Sequence, residues 1–457
     1  MEQALGHEGA TTPRKVSFLL VLALVVRVVQ PSFTRRIWMP HDHLSVASFL
    51  LSSWRRQGQN HDTKALGVLM AKGWAGVASG GIALFFALML CTSPPARAGT
   101  FNPWTQTGHD AAHTYANAGP SPAIDAPFWA SSVGGIQQVE AVAQGLVFAR
   151  SASGVVAVDQ MSGALVRTYG AGSVRSLAVS GNRLIVSDEG TVRAFDVASG
   201  TMLWSRALPI PTIAVDAGRV FVNTGLGDGH LRALDVATGN ILWSVAGVGN
   251  ASSPPTVAGG IVFQNSAVGG TVLALDAATG APAWSASVGT VISSPVANAT
   301  QLFVGVQSSH FLALSQATGA VLWDTSLPGE IYAGGTVGDL AFALSFSGNV
   351  YAVNAATGVI EWSFAAGSCC TGVASADGRL FSSGSAGLFA LDQATGALLW
   401  SHDGAFTPIV ADGLVFAQSG GDIVAIGTPV PEPSTLFLLA TGLAGLAGAG
   451  WRARRRT

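Results

Sequence analysis

The stretch from Gly270 to Ser285, GTVLALDAATGAPAWS, decides the fold, because variants of it recur about every 40 residues along the chain. The neighbouring copies read LRALDVATGNILWS from Leu231 and FLALSQATGAVLWD from Phe311. Seven copies share a glycine at one register: Gly163, Gly200, Gly239, Gly280, Gly319, Gly358 and Gly396. A fixed period of this length indicates a repeat architecture.

Each copy combines a short apolar run with a tight turn. The run from Val272 to Leu275 is apolar at both alternate sets of positions, which fits a strand covered on both faces. The step from Asp276 to Gly280 predicts a reversal, because Asp can accept hydrogen bonds from turn N–H groups and Gly adopts positive φ without steric cost. All seven copies carry a short oxygen acceptor at the Asp register and a hydroxyl at the Thr register. We therefore interpret these residues as structural.

A tryptophan follows the glycine by four residues in six copies, and Arg167 stands there in the first copy. A large flat ring at one register of successive units fills the space between radially arranged sheets and needs one partner for its N–H group. A row of aromatic ligand platforms is the alternative. We predict that the following residues dock neighbouring sheets: Trp129, Trp204, Trp243, Trp284, Trp323, Trp362 and Trp400.

Two further strand-like runs separate each tryptophan from the next turn, so each unit offers four short strands, which make one propeller blade. Residues 99–427 are therefore predicted to form an all-β propeller. The last run, from Asp422, has no following tryptophan strand, and the run around Trp129 has no preceding turn. If the run around Trp129 completes the last blade, the ring closes with eight blades and pairs its open edges. Seven blades with frayed ends is the alternative.

The A-x-D-x-x-T-G-x-x-x-W frame resembles the tryptophan-docking motif of pyrroloquinoline quinone (PQQ)-like repeat propellers. The segment WTQTGHDAAHTYAN from Trp104 is also similar to the opening segment of that group. The resemblance runs from Trp104 to Ile426 and implies the propeller fold. Because the superfamily includes quinoprotein alcohol dehydrogenases and a non-catalytic outer-membrane assembly scaffold, the resemblance does not imply one activity.

The chain before the propeller contains a predicted signal peptide. We assign residues 70–98 to it, with a weakly basic start at Met70, an apolar core from Ile82 to Leu90 and an A-x-A-type site ending at Ala98, where signal peptidase would cut. Residues 1–69 have no assignable fold, and our hypothesis is that they are a gene-model extension. Cys91 only poorly resembles a lipoprotein box.

The chain after the propeller has the features of a sorting signal. Pro431, Glu432 and Pro433 precede an apolar run from Leu436 to Trp451 and a basic tail with Arg452, Arg454, Arg455 and Arg456. Residues 428–457 resemble the PEP-CTERM sorting signal of Gram-negative bacteria. That resemblance implies transient insertion in the inner membrane as a helix with its basic end inside, and removal of the tail by an exosortase. A plain carboxy-terminal membrane anchor is the alternative.

The charge of the propeller excludes some partners. Residues 99–427 contain no Lys, and nine Arg face 20 acidic residues. Nucleic-acid binding needs a basic footprint, and docking on anionic lipid headgroups needs basic clusters, so we expect neither.

Some members of the family that the chain resembles bind PQQ with calcium. Such a site implies a carboxylate base, cations for the cofactor's carboxylates and about six to eight oxygen ligands for the metal. The acids outside the repeat turns, such as Glu140, are scattered, and no family ligand transfers position by position. We therefore expect no catalytic, cofactor-binding or metal-binding residue. His109 and His113 lack the spacing of a zinc site and are expected at turns or on the surface.

Cys369 and Cys370 are adjacent, and in an exported protein we expect them to be oxidised. A vicinal pair lies beside the cofactor in some quinoprotein dehydrogenases, so the pair is the best single hint of an enzyme. A bridge that stiffens the loop and a pair of free thiols are the other interpretations.

These features together predict an exported, monomeric propeller that is sorted to the cell surface or matrix. We expect it to act as a non-catalytic binding or scaffold module with an unknown protein or polysaccharide partner, within exopolysaccharide or biofilm assembly. The loops of one propeller face and the channel mouth would carry the site. A small PQQ-dependent dehydrogenase and an envelope protein-assembly factor are the alternatives. The assembly factor would be favoured by an exposed outer strand near Arg167.

Overall fold

The computed structural model describes residues 103–170, 172–247, 253–266, 270–291, 293–367 and 372–429. Within these ranges the chain forms 33 β-strands and one short helix, α1 (Gly225–Asp228). None of the helical structure in these ranges is long and apolar enough to cross a membrane. The predicted signal segment and the predicted membrane helix of the carboxy-terminal segment lie outside the described residues.

Thirty-two of the strands form eight four-stranded antiparallel sheets, the blades. The inner strands are β3 (Ile136–Ala143), β7 (Ser176–Ser180), β11 (Thr212–Asp216), β15 (Thr256–Ala258), β19 (Val296–Ala297), β23 (Ile331–Val337), β27 (Gly372–Ala376) and β31 (Ala405–Ala411). The second strands are β4 (Leu146–Ser151), β8 (Arg183–Ser187), β12 (Arg219–Asn223), β16 (Ile261–Ser266), β20 (Gln301–Val306), β24 (Leu340–Ser345), β28 (Arg379–Gly384) and β32 (Leu414–Ser419).

The third strands are β5 (Gly154–Asp159), β9 (Thr191–Asp196), β13 (His230–Asp235), β17 (Thr271–Asp276), β21 (His310–Ser315), β25 (Asn349–Asn354), β29 (Gly387–Asp392) and β33 (Asp422–Gly427). The outer strands are β6 (Leu165–Gly170), β10 (Met202–Ala207), β14 (Ile241–Ala246), β18 (Pro282–Ser287), β22 (Val321–Ser326), β26 (Ile360–Ala365), β30 (Leu398–Asp403) and β2 (Pro127–Ala130). The remaining strand, β1 (Ala116–Asn117), runs parallel to β27.

The ring closes through the start of the chain. Strand β2 pairs antiparallel with β33, with Pro127 opposite Ile426 and Trp129 opposite Ala425. The first strand of the ring therefore becomes the outer strand of the eighth blade. The prediction of eight blades is confirmed, and the seven-blade alternative is wrong, because the run around Trp129 supplies the missing strand.

The core lies between the blades, where apolar side chains of the first three strands meet. Every second strand except β8 contributes one phenylalanine to this core. Each of these phenylalanines is at most 1% exposed, as Phe263 and Phe416 illustrate. Outer strands alternate between exposed and half-buried residues, as β10 does, because only one of their faces meets a neighbouring blade. Burial on both faces explains why the run from Val272 to Leu275 in the third strand β17 is apolar at both alternate sets of positions.

The two ends of the blades define two faces of the molecule. We call the end at which every inner strand begins the upper face, and the end at which every third strand ends the lower face. The Asp-x-x-Thr-Gly turns join third to outer strands and therefore lie at the lower face. The connections from one blade to the next lie at the upper face.

Candidate functional site

The tryptophans at the repeat register lie against the turn of the following blade. A Cβ atom on Gly280 would lie 2.8 Å from Cδ2 of Trp243, and Gly280 has φ of +74°, so the position requires glycine. Nε1 of Trp243 donates a hydrogen bond to the carbonyl oxygen of Ala277 at 3.1 Å. The same arrangement joins Trp129 to Gly163, Trp204 to Gly239, Trp284 to Gly319, Trp323 to Gly358 and Trp362 to Gly396.

Each of these rings also packs on its own blade. The ring of Trp243 lies 6.1 Å from that of Phe221, and the ring of Trp284 lies 5.7 Å from that of Phe263, measured between centroids. Except in the second blade, whose second strand has no phenylalanine, each of these tryptophans is thus held between a phenylalanine of its own second strand and a glycine of the next turn. The row of rings lies between the blades, which does not fit a row of ligand platforms.

The turns themselves are fixed by their acidic residue. The carboxylate of Asp276 accepts hydrogen bonds from the side chain of Thr279 at 2.7 Å and from its backbone N–H at 2.8 Å. These bonds, with that from the Thr279 hydroxyl as the largest contribution, lower the pKa of Asp276. Hydrogen bonds from the turn likewise lower the pKa of Asp196, Asp235 and Asp392. The lower face therefore carries ionised carboxylates at ordinary pH.

Arg167 takes the place of the tryptophan in the first blade. Its guanidinium donates hydrogen bonds to the carbonyl oxygens of Ser199 at 2.6 Å and Ala198 at 2.9 Å. Its own strand, β6, begins with Leu165, which is 55% exposed, but Met202 at the start of β10 is equally exposed, at 54%. The missing tryptophan therefore does not single out β6 as an open edge.

Trp400 differs from the others because the eighth blade has no turn of this kind. Its ring packs on Phe381 with centroids 5.7 Å apart. Among the described residues, the Nε1 atom of Trp400 has no hydrogen-bond partner. The outer strand of the next blade is β2, which comes from the start of the chain, so no third-strand turn is available there.

The segment from Trp104 to Asn117, the channel segment, contacts all eight blades in order. Each contact is a hydrogen bond to one of the last two residues of an inner strand: Trp104 with Val142, Thr105 with Val179, Gln106 with Val215, Ala111 with Val257, Ala112 with Ala297, Thr114 with Thr336, Tyr115 with Ser375 and Asn117 with Val410. Because inner strands end at the lower face, the segment closes the lower end of the central channel. The space above it is a well.

Two adjoining cavities form this upper well. The larger has a volume of about 460 Å³ and is lined by starting residues of inner strands and their neighbours, including Gln138, Glu140, Arg150, Arg175, Ser176 and Thr212. The smaller has a volume of about 60 Å³ and is lined by Trp104, Tyr115, Gly372, Val373 and Thr407, among others. Thr107, Gln138 and Glu140 border both cavities. The channel segment therefore supplies part of the floor.

Glu140 is the buried charge of the well, with 2% of its surface exposed. One carboxylate oxygen pairs with the guanidinium of Arg150, and the other accepts hydrogen bonds from Thr107 at 3.2 Å and from the backbone N–H of Leu177 at 3.0 Å. Burial raises the pKa of Glu140, because the lost hydration outweighs the attraction of Arg150 and the hydrogen bonds. Both oxygens are thus occupied by protein groups.

The channel segment holds two further titratable groups, the buried His113 and the half-buried Tyr115. Burial raises the pKa of Tyr115 to about 12, and the charges of Glu140 and Asp110 act in the same direction. Burial lowers the pKa of His113 to about 4, and only 2% of this residue is exposed. His113 ends a turn, as one of the two expectations had it, because its N–H donates a hydrogen bond to the carbonyl oxygen of Asp110, but the residue is buried and does not lie on the surface.

The structure does not describe several of the residues that the sequence singles out. Cys369, Cys370, the cleavage position Ala98 and the sorting residues Pro431, Glu432 and Pro433 lie outside the described residues, as does the basic tail. The described residues contain no group of three or more His, Cys, Asp or Glu side chains that could hold a metal ion.

Sequence reasoning placed the site at the channel mouth, but it identified neither the lining of the upper well nor the pairing of Glu140 with Arg150. These residues lie ten positions apart in the chain, on neighbouring strands β3 and β4, and each is a charged residue with an apolar residue immediately before it. That placement was the available signal, because charged residues are seldom buried without a partner.

Two family models match the chain. A model described as outer membrane protein assembly factor BamB, a PQQ-repeat family, matches residues 121–206, 188–368 and 346–427. A model of the PEP-CTERM protein-sorting motif matches residues 429–456. The motif implies export, membrane-associated sorting to the cell surface and processing by an exosortase. No curated protein matches the chain.

Solved structures share the fold at low sequence identity. The computationally designed Ika8 protein is 20% identical, with a TM-score of 0.59 over 66% of this chain and 100% of its own. BamB from Moraxella catarrhalis is 19% identical, with a TM-score of 0.55 over 67% of this chain and 100% of its own. Quinohemoprotein alcohol dehydrogenase ADHIIG from Pseudomonas putida HK5 is 13% identical, with a TM-score of 0.57 over 73% and 82%. At these identities the likeness concerns the fold alone. With its repeats matched from residue 121 to residue 427, the chain belongs to the PQQ-repeat propeller family that is described by outer membrane protein assembly factor BamB.

Proposed function

We propose that this protein is an exported, surface-sorted propeller that binds its ligand in the upper well without transforming it. The observation that carries this proposal is that protein groups bind both carboxylate oxygens of Glu140. A general base needs a free oxygen within reach of the substrate, and both oxygens of Glu140 are held by Arg150, Thr107 and the Leu177 N–H group. The well is therefore built for recognition by hydrogen bonds on a rigid scaffold.

The lining favours an uncharged, hydroxyl-rich ligand such as a saccharide unit of an extracellular polysaccharide. Arg150 is paired with Glu140, and Arg175 lies 3.5 Å from Glu189, so the cations and anions of the lining balance. The other polar side chains are hydroxyls and amides, among them Gln138 and Thr212. Such groups exchange hydrogen bonds with hydroxyls at no cost in unpaired charge.

Trp104 adds a donor at the floor. The residue is 1% exposed, lines the smaller cavity, and among the described residues its Nε1 atom has no hydrogen-bond partner. A buried donor without a partner costs free energy, of order 1–3 kcal/mol. A ligand hydroxyl or a water molecule in the smaller cavity would remove that cost, which supports a polar occupant.

The described lining does not fit PQQ with calcium. The cofactor would need cations for its carboxylates and several oxygen ligands for the metal, but the guanidinium of Arg150 is already paired and the described residues hold no group of three metal-binding side chains. The likeness to an alcohol dehydrogenase concerns the fold.

An envelope assembly factor that recruits partners by strand addition remains the second candidate. The family description names an assembly factor, and the outer strands begin with exposed apolar residues such as Leu165 and Met202. These exposed edges recur in several blades, so no single outer strand is marked as the docking strand.

Titration of the processed protein with defined oligosaccharides tests the proposal. We expect neutral oligosaccharides to bind in a calorimeter and to raise the melting temperature, and Gln138→Ala to weaken that binding about tenfold, as expected for a lost hydrogen bond of about 1.4 kcal/mol. Ser347→Ala, in an exposed turn of the sixth blade, is the matched control and should bind normally. Binding that is indifferent to Gln138→Ala would place the site elsewhere, and the absence of binding to any saccharide would remove the proposed ligand class.

A further inference from the structure

Both ends of the propeller lie at its lower face. Gly427, the last residue of β33, stands opposite Leu414 in the same register as Asp159 opposite Leu146, so the chain leaves the eighth blade where other blades make their lower turn. Trp104, near the start of the described chain, bonds to Val142, the second-last residue of an inner strand. The chain thus enters and leaves the ring at the same end.

The path between the channel and the eighth blade also follows this face. After Asn117, the chain passes the lower turns of blades seven and eight, where Ser121 donates a hydrogen bond to the carbonyl oxygen of Ala376 and Pro120 accepts one from the N–H of Gly413. A Cβ atom on Gly427 would lie 2.6 Å from the Cβ of Pro122. The incoming and outgoing chains are therefore packed together beneath the eighth blade.

The tethers beyond these points are short. Eight residues, 428–435, separate Gly427 from the apolar run that begins at Leu436, and an extended chain covers at most about 3.6 Å per residue, or roughly 30 Å. Five residues, 99–103, separate the expected cleavage position Ala98 from Trp104, which gives a reach of about 20 Å. Before processing, both membrane-seeking segments are thus tied to the lower face.

We infer that the lower face is the membrane-side face of the anchored protein and that the upper well opens away from the bilayer. The reverse orientation would oblige the outgoing chain to climb the blade, about 20 Å for a six-residue strand, which uses most of its reach. The incoming chain would have to climb as well, from a starting point inside the ring. The orientation does not depend on what the well binds.

Charge sets how the lower face meets the lipid. The turn residues Asp196, Asp235, Asp276 and Asp392 lie at this face and are held ionised by their hydrogen bonds. An anionic leaflet repels such a surface, and salt screens the repulsion over about 10 Å at 0.1 M. The lower face therefore stands close to the bilayer without inserting into it, and approaches further as the salt concentration rises.

Fluorescent labels at the two ends of one strand test this orientation. Ala152 and Met161 are exposed residues in the upper and lower turns that flank β5, so Ala152→Cys and Met161→Cys place one dye about 20 Å apart along the same blade. Each change is made in full-length protein with Cys91→Ser, Cys369→Ser and Cys370→Ser, purified with its tail retained. The protein is reconstituted in phosphatidylethanolamine–phosphatidylglycerol vesicles that carry a headgroup-linked acceptor.

We expect a larger loss of donor fluorescence for the Met161→Cys label than for the Ala152→Cys label. Equal losses, or a larger loss at Ala152→Cys, would overturn the inference. A chain of residues 99–433, which lacks both membrane-seeking segments, is the control for adsorption, and both labels should then lose little fluorescence. If the shortened chain transfers energy as strongly as the full chain, the tether does not set the orientation and the inference fails.

Discussion

Replacing Trp243 tests whether the tryptophans join neighbouring blades. The side chain is 9% exposed, packs between Phe221 and Gly280, and donates a hydrogen bond to Ala277. Truncation of a buried tryptophan to alanine costs about 4 kcal/mol through lost burial and the cavity left behind. Trp243→Phe keeps most of the packing and loses the hydrogen bond, which costs about 1 kcal/mol.

The contact with Gly280 makes a more specific prediction. Gly280→Ala alone places a Cβ atom 2.8 Å from the Trp243 ring and forces alanine into a left-handed conformation. The conformation costs about 1–2 kcal/mol with or without the ring, but the steric overlap disappears when Trp243 becomes alanine. The double variant should therefore be less destabilised than the sum of the two single variants, by about 1–3 kcal/mol.

Thermal unfolding of the four proteins measures this coupling. With an unfolding entropy of about 2 cal/mol/K per residue over roughly 320 residues, 4 kcal/mol corresponds to a fall in melting temperature of about 6 °C, and 1 kcal/mol to about 1.5 °C. Trp400→Ala is the control, because among the described residues its Nε1 has no partner and no repeat turn follows it. Additive effects of Trp243→Ala and Gly280→Ala within about 0.5 kcal/mol would refute the docking account.

Three further outcomes are expected. Because burial depresses the pKa of His113 from 6.5 to about 4, the stability present above pH 6.5 is lost as pH falls toward 4, and His113→Asn should remove that loss in melts compared between about pH 7.5 and pH 4.5. A chain that begins at residue 131 lacks both β2 and the channel segment, so it should aggregate through the open edge of β33, as light scattering would show; a soluble monomer of full stability would contradict ring closure. The exported protein should contain no free thiol at Cys369 or Cys370 until it is reduced, and two reactive thiols in denatured, unreduced protein would rule out the bridge.

The blade pattern was predictable because it depends on local chemistry. The turn glycine adopts positive φ, the turn acid accepts hydrogen bonds from N–H groups, and the tryptophan packs against the next blade. The residues responsible, such as Asp235, Gly239 and Trp243, lie within fifteen positions of one another in each copy. Eight-fold closure was predictable too, since the run around Trp129 had strand character and no partner of its own. Repetition supplied the register that a single copy would not have fixed.

Apart from the Glu140–Arg150 pair within the first blade, the upper well was not predictable, because its residues meet only through the closed ring. Thr107 and Glu140 lie 33 positions apart, and Gln106 contacts Val215 across 109 positions. The channel segment has no repeat and no strand periodicity, so its sequence gives no indication that it threads the channel. Its side chains, including the buried His113, take their environment from the blades that surround them.

The most direct test of the proposed function is a comparison of two ligands on the processed protein. PQQ with calcium is titrated while absorbance, melting temperature and dye-linked alcohol oxidation are followed, and a neutral oligosaccharide is titrated in parallel. We predict that the oligosaccharide raises the melting temperature and that Gln138→Ala reduces the rise, whereas PQQ shows no saturable binding and no oxidation. Saturable binding of PQQ with alcohol oxidation would contradict a binding role and make the protein a dehydrogenase.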